Sequence, residues 1–297
     1  MHQVNTFNAY ARSLIAFAVT EMKGGYTMDS TALGPQWRRR LARIRSQVDQ
    51  ISIPEIANGE MPQDREWCYV VVAGKQRRIR FHDYQEIYRI PGLYEKLFYE
   101  RLGCCSPSRV VQLLEELLVD FGDDPRGLKV LDLGAGNGMV GDELHARQVQ
   151  RIVGIDLLRE AKDAAGRDRP DVYHNYFAVD LTDLPKEVEE YLRRQRFNCL
   201  ITVAALGFND VPPAAFIKAL DLVELQSWVA LTIKEDFLHE RDDSGFAALI
   251  RQLSRDEIIQ IQAYRRFRHR FSITGEPLFY VAMMARKLAE VPDAWIQ

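Results

Sequence analysis

The stretch VLDLGAGNGMVGDELH, residues 130–145, decides the fold. Val130, Leu131 and Leu133 form an apolar run suited to a buried strand. The run carries Asp132 and then breaks into Gly134, Gly136 and Gly138, which let the backbone take positive φ and come close to a ligand. Met139, Val140 and Leu144 next share one face of a helix. Strand, glycine loop and helix N-terminus in that order make a nucleotide-type site, because free N–H groups and the helix dipole point into the loop.

Downstream, the rhythm of strand and helix repeats. KVLDLG, RIVGID, YFAVDL, FNCLITVAAL, WVALTIK, HRFSIT and LFYVAMMA are seven candidate strands. Helix-length segments separate the first five, which implies parallel strands joined by right-handed crossovers. Only the short turn Gly275-Glu276-Pro277 joins the last two, which makes them an antiparallel hairpin.

A dinucleotide fingerprint requires a third glycine where this chain has Met139, whose side chain would crowd the contact between helix and strand. DLGAGNG instead resembles motif I of the class I S-adenosylmethionine-dependent methyltransferases, and the terminal hairpin is that family's addition to a Rossmann-like sheet. The resemblance covers roughly residues 82–290 and is nearest to the type 11-like, small-molecule branch. It implies an α/β fold: a Rossmann-like, seven-stranded, mostly parallel sheet with a C-terminal antiparallel β-hairpin. An N-terminal accessory region of helix and hairpin precedes it.

The resemblance also implies a cofactor, S-adenosylmethionine, and the residues that would hold it. Asp132, Gly134, Ala135, Gly136, Asn137 and Gly138 form the loop, with Asp132 facing the positive methionine end. Asp156 ends the second strand, where a carboxylate can accept both ribose hydroxyls, and Leu157 follows it. Asp180 and Leu181 stand where the family holds the adenine. Any one of these acids alone reads as a turn or helix cap, but together they line successive strand ends.

The fourth and fifth strand ends should face the methyl acceptor through Leu206, Phe208, Asn209, Asp210, Lys234 and Glu235. His239 is the candidate general base, weighed against a surface role, and His269 is a weaker one. VAALGFNDVPP occupies the site of the N/D-P-P-Y/F tetrapeptide, and neither a Pro-Cys nucleophile nor a double-glutamate loop is present. These absences argue against the amino-methylating DNA and glutamine, C5-cytosine and arginine branches.

Upstream of the loop, SPSRVVQLLEELLVDFG (106–122) reads as a helix with a Ser cap and Pro at the next position. HDYQEIYRIPGLYEKLFYERL (82–102) reads as two short helices broken at Pro91-Gly92. Tyr84 and Tyr88 lie four apart on one helical face, as candidates to touch the methionine portion of the cofactor. QWRRRLARIRSQVDQISI (36–53) reads as a charged helix ending before Pro54, and WCYVVV and RRIRF as two strands around AGKQ. The expected organisation is an extension and accessory region over 1–81, a helical lid over 82–125 and the methyltransferase domain over 126–290.

Composition bounds the partners. At 297 residues, 47% hydrophobic and 27% charged with net charge −3, the chain is an ordinary globular sequence without bulk attraction for nucleic acid or anionic membrane. Cys68, Cys104, Cys105 and Cys199 show neither metal-ligand nor secreted disulfide spacing, which points to the cytoplasm and to no bound metal. SLIAFAVT (13–20) is too short, and lacks the cleavage site, for a secretory signal. The expected activity is methyl transfer to a small molecule by in-line displacement driven by proximity. The alternatives are a non-catalytic methyltransferase-like scaffold, or an RNA methyltransferase using the basic runs at 38–45 and YRRFRHR (264–270).

Overall fold

The computed structural model describes residues 39–56, 61–206, 210–235 and 245–296. Residues 33–297 cluster as one compact unit, so accessory region, lid and main sheet belong together.

Three strands form the accessory sheet: β1 (Val48–Ser52), β2 (Trp67–Val72) and β3 (Lys75–Arg80), antiparallel in that order. Ala73 and Gly74 link β2 to β3 with φ of 50° and 73°, the double left-handed turn whose twist suits a two-residue hairpin. The helix expected through residue 53 fails at its second half. Residues 39–41 are helical, but Val48 and Ile51 turn inward on a strand paired with β2. Two β-branched residues with a partner edge outweigh the helical charge pattern.

The helices of the lid follow: α1 (Tyr84–Arg89), a π-helical turn over Glu95–Arg101, and α2 (Ser106–Asp120). Asp83 caps α1 by accepting from the Glu86 N–H. Ser106 does not cap α2. Cys105 takes the cap position, and the Ser106 hydroxyl lies 2.5 Å from His269 Nδ1.

Next come β4 (Lys129–Leu133), α3 (Met139–Ala146), β5 (Arg151–Asp156), α4 (Arg159–Asp168), β6 (Asn175–Ala178) and α5 (Lys186–Gln195). Then follow β7 (Phe197–Leu206), α6 (Pro213–Asp221), β8 (Val223–Lys234), α7 (Phe246–Arg255), β9 (Ile259–Phe271) and β10 (Pro277–Lys287). The seven strands order as β6-β5-β4-β7-β8-β10-β9, parallel from β6 to β8, with β10 antiparallel to both β8 and β9. This is the Rossmann-like sheet with a C-terminal hairpin that the sequence implied.

β9 begins ten residues before the expected HRFSIT strand and takes in YRRFRHR. It is the edge strand, and a row of arginines is how an exposed edge avoids pairing with another chain. Both sheet faces are covered, which is why the central strands are mostly apolar. Val110, Val111, Leu114 and Leu118 of α2 pack with Val140 and Leu144 of α3 on one face. Phe216 and Leu220 of α6 and Leu249 and Leu253 of α7 pack on the other. The chain runs outward from β4 to β6, then returns to β7 on the far side of β4. The crevice opens at that reversal, outside the carboxyl ends of the strands.

Candidate functional site

The glycine loop leaves β4 with φ of 69° at Gly134, 55° at Gly136 and 91° at Gly138, conformations that glycine adopts without the strain a side chain would bring. A Cβ on Gly134 would stand 2.7 Å from Ala205 Cβ, and one on Gly136 would stand 2.6 Å from the Tyr88 hydroxyl. The loop's shape is held by its neighbours. Ile155 O accepts from the Gly134 and Ala135 N–H groups at 2.8 and 3.0 Å. Asp156 Oδ2 accepts from Gly136 N at 2.9 Å while its Oδ1 accepts from Leu158 N at 2.9 Å. The Tyr176 hydroxyl donates to Gly136 O at 2.7 Å.

Below the loop lies a buried ion pair that the sequence did not signal. Arg169 donates to Glu95 Oε1 at 2.9 Å and to Asn137 O at 2.9 Å, and Asn137 Nδ2 donates to the same Glu95 oxygen at 2.6 Å. Glu95 comes from the π-helical turn and Arg169 from the end of α4, 74 residues apart, so no local pattern joins them.

The loop borders a cavity of about 580 Å³, within the usual range of ligand sites. Ala135, Asn137, Asp156, Leu157, Asp180 and Leu181 line it together with Gly134 and Gly136. Leu157 is 62% exposed, an apolar side chain held open beside Asp156. Burial raises the Asp156 carboxyl, partly offset by the backbone N–H groups of Leu158, Gly136 and Leu157. Asp180 does cap a short turn, as its bland reading required. One of its oxygens accepts from the Thr182 N–H and hydroxyl at 2.8 and 2.7 Å, yet the residue also faces the cavity.

Two expected contacts are displaced. Asp132 does not line the cavity: it is buried under the loop and accepts from the Tyr173 hydroxyl at 2.7 Å. Burial pushes it up to about 7, against the Tyr173 hydrogen bond and with the help of the Asp156 charge. Gly138 serves only as the left-handed cap of α3. Met139 turns into the accessory core instead of the contact between helix and sheet. Gly141 provides that contact, where a Cβ would meet the Tyr173 ring at 2.6 Å.

On the acceptor side, Leu206 and Asp210 line the cavity; Lys234 and Glu235 do not. Glu235 is taken by Arg266, 2.8 Å away. Phe208, Asn209 and His239 lie outside the described residues. Tyr84 and Tyr88 both line the cavity, with rings stacked at 5.9 Å, and no described residue is a hydrogen-bond partner of either hydroxyl. His269 also reaches it, bonded to Ser106 and stacked 4.1 Å from Tyr280. Burial, with the nearby Arg270 and Arg268, holds its imidazole well below the ordinary value.

Sequence reading missed the contribution of Gln63 and Phe81 from the accessory region and of His82 at the start of the lid, all of which line the same cavity. A buried ion pair between Glu66 and Arg270 ties that region to β9, and Glu66 also accepts from Ile273 N at 2.8 Å. Burial and the neighbouring Arg270 lower His82, whose Nδ1 lies 3.8 Å from Asp210 Oδ2. At β7's carboxyl end Ala204 takes φ of 55°, and its N–H donates to Thr232 at 2.7 Å, which turns Ala205 toward the loop.

No protein-family model matches the chain, nor does any curated protein. Several solved structures are similar to it. Magnesium protoporphyrin IX methyltransferase from Synechocystis, with SAM bound, is 16% identical over 61% of this chain and 79% of that one, with a TM-score of 0.43. A candidate RNA methyltransferase from Pyrococcus horikoshii is 17% identical over 69% and 90% of the two chains, with a TM-score of 0.45. The N-methyltransferase NodS from Bradyrhizobium japonicum, in complex with S-adenosyl-L-homocysteine, is 14% identical over 61% and 86%, with a TM-score of 0.43.

Proposed function

We propose that the chain is an S-adenosylmethionine-dependent methyltransferase acting on a small molecule. The observation that carries this is the charge of the cavity. Asp83, Asp156, Asp180 and Asp210 line it, while its arginine, Arg270, is already paired with the buried Glu66. Among the described lining residues a pyrophosphate would meet carboxylates without a free cation. A ligand bearing an ammonium and a sulfonium meets the charges it needs.

The residues fit such a ligand. Gly134 and Gly136 leave room that any Cβ would fill, Asp156 keeps lone pairs beyond its two backbone bonds for hydroxyls, and Leu157 and Leu181 offer apolar surface to a flat base. Once bound, the cofactor supplies an electrophilic methyl carbon. The protein's part is to hold the acceptor in line and keep water away, which is where much of the rate of a displacement comes from. Of the two basic runs considered for RNA, 38–45 and YRRFRHR (264–270), the second is engaged within the fold. Arg265 pairs with Glu116 at 3.0 Å, Arg266 with Glu235, and Arg268 donates to Gly103 O at 3.2 Å and lies over the Phe271 ring. Among the described residues no helix is long and apolar enough to cross a membrane.

Calorimetry with S-adenosylhomocysteine tests the reading. Binding should raise the melting temperature by mass action, and Asp156→Ala should weaken it by about 1.5–3 kcal/mol, the range for hydrogen bonds to a charged group. NAD binding more tightly than S-adenosylhomocysteine would overturn the assignment.

A further inference from the structure

The glycine side of the cavity accounts for one ligand, and the opposite side has a chemistry of its own. Aromatic rings run along it without a gap: Tyr84 to Tyr88 at 5.9 Å, Tyr88 to Tyr94 at 5.4 Å, Tyr94 to Phe98 at 4.8 Å. Tyr280 stands across from them, its hydroxyl accepting from Gln63 Nε2 at 3.1 Å. The other amide atom, Gln63 Oε1, is buried and has no hydrogen-bond partner among the described residues.

Asp210 belongs to the same corner. Its charge reaches both the Tyr84 and Tyr280 hydroxyls, adding to the burial that raises each of them. Burial, and then the Asp156 charge, push Asp210 itself up to about 7. The cationic groups nearby are committed or neutral: Arg270 is bound to Glu66, and burial holds His82 and His269 low. An acceptor carrying a carboxylate or phosphate would face Asp210 with no counter-charge among the described residues. An ammonium would find a carboxylate and ring faces that attract cations, beside the Tyr280 hydroxyl that Gln63 holds.

Resting on the methyl-transfer reading above, we propose that this corner binds a small amine on a flat or aromatic body, and that Asp210 takes the proton the amine must lose. The ammonium gives one N–H proton to the Asp210 carboxylate, and the freed pair stays on nitrogen. That pair forms the bond to the methyl carbon as the carbon–sulfur bond breaks toward sulfur, leaving a thioether and an N-methylated ammonium. The proton on Asp210 then passes to water.

Three probes of one shape and different charge test this on the full chain: benzylamine, benzyl alcohol and benzoate, followed by ligand-observed NMR with and without S-adenosylhomocysteine. Benzylamine should bind at least ten-fold more tightly than the alcohol, and benzoate should not bind at millimolar concentration. Asp210→Asn should remove the ten-fold preference, and Gln63→Leu should weaken benzylamine several-fold, both in a chain that still folds and still binds S-adenosylhomocysteine. Equal binding of the three probes, or a preference that survives Asp210→Asn, overturns the amine assignment. Selective benzylamine binding by a chain that ignores S-adenosylhomocysteine would instead retain the amine site and remove the methyl-transfer reading.

Discussion

The two halves of the cavity are built on opposite plans. The glycine half comes from one short run of chain, residues 133–137, with two strand ends beside it. The aromatic half gathers Gln63, Phe81 to Tyr99, Cys104 to Pro107, β7's end and β9–β10 from across the whole molecule. Each half nonetheless rests on a buried ion pair joining distant segments: Glu95 with Arg169 beneath the loop, and Glu66 with Arg270 beneath the accessory sheet. A contiguous motif can therefore mark a ligand site, but what fixes its shape is drawn from elsewhere in the chain.

Removing one partner of each pair separates the halves and should give the largest effects. Arg169→Met and Arg270→Met each strand a buried carboxylate and should cost about 3–5 kcal/mol in denaturant unfolding. Only Arg169→Met also removes the bond to Asn137 O, so it alone should weaken S-adenosylhomocysteine, by ten-fold or more. Arg270→Met should leave that affinity within two-fold and abolish benzylamine binding. Parallel losses of both ligands in both variants would show that the cavity behaves as one body.

The same contrast explains what was legible. Strand, loop and helix at 130–145 were readable because backbone requirements are local: three positive-φ positions need three glycines in a fixed order. The antiparallel hairpin was readable from its short turn. β1 was not, since Val48 and Ile51 become a strand only against β2, and neither was the start of β9 within its arginines. Asp132 shows the limit at the site itself. The acid lies on the strand that leads into the loop, but Tyr173, 41 residues on, claims its carboxylate. His82 and Gln63 carried no signal, because a polar residue beside a hairpin becomes a lining residue only through the packing of the accessory sheet.

Asp132 gives a second, smaller break. Its carboxyl titrates near 7 in the folded protein against an ordinary 3.8, so between those values the folded chain holds a proton that the unfolded chain has lost. Stability from this group is therefore complete below pH 3.8 and falls as the pH rises to about 7, then stays down. Asp132→Asn should fall below the parent by up to about 1 kcal/mol at pH 4, for the altered Tyr173 hydrogen bond, and exceed it at pH 8 by on the order of 3 kcal/mol. Asp210 is displaced in the same direction in the other half, but its side chain is 28% exposed, so Asp210→Asn should show a shallower slope. Urea unfolding at four pH values measures both. An Asp132→Asn variant that tracks the parent at every pH would mean that water reaches the carboxylate under the loop.

The smallest expected effect tests the single point where the halves touch. A methyl group on Gly136 would stand 2.6 Å from Tyr88 Oη but 3.5 Å from Cζ, so the hydroxyl alone is the obstacle and the ring is in ordinary contact. Tyr88 cannot swing aside freely, because it is buried between Tyr84 and Tyr94 and against Ala161 and Ala164 of α4. Gly136→Ala therefore carries two costs: about 1–2 kcal/mol for a side chain at φ of 55°, and the clash. Tyr88→Phe removes only the second, and by itself should change stability by less than about 1 kcal/mol, since no described residue accepts from that hydroxyl. The double variant should then recover part of what Gly136→Ala loses, with an interaction of at least about 0.5 kcal/mol in unfolding and a matching recovery of S-adenosylhomocysteine affinity. Strict additivity would mean that loop and lid do not meet through this pair, and that the aromatic wall stands too far from the glycine half to present an acceptor to it.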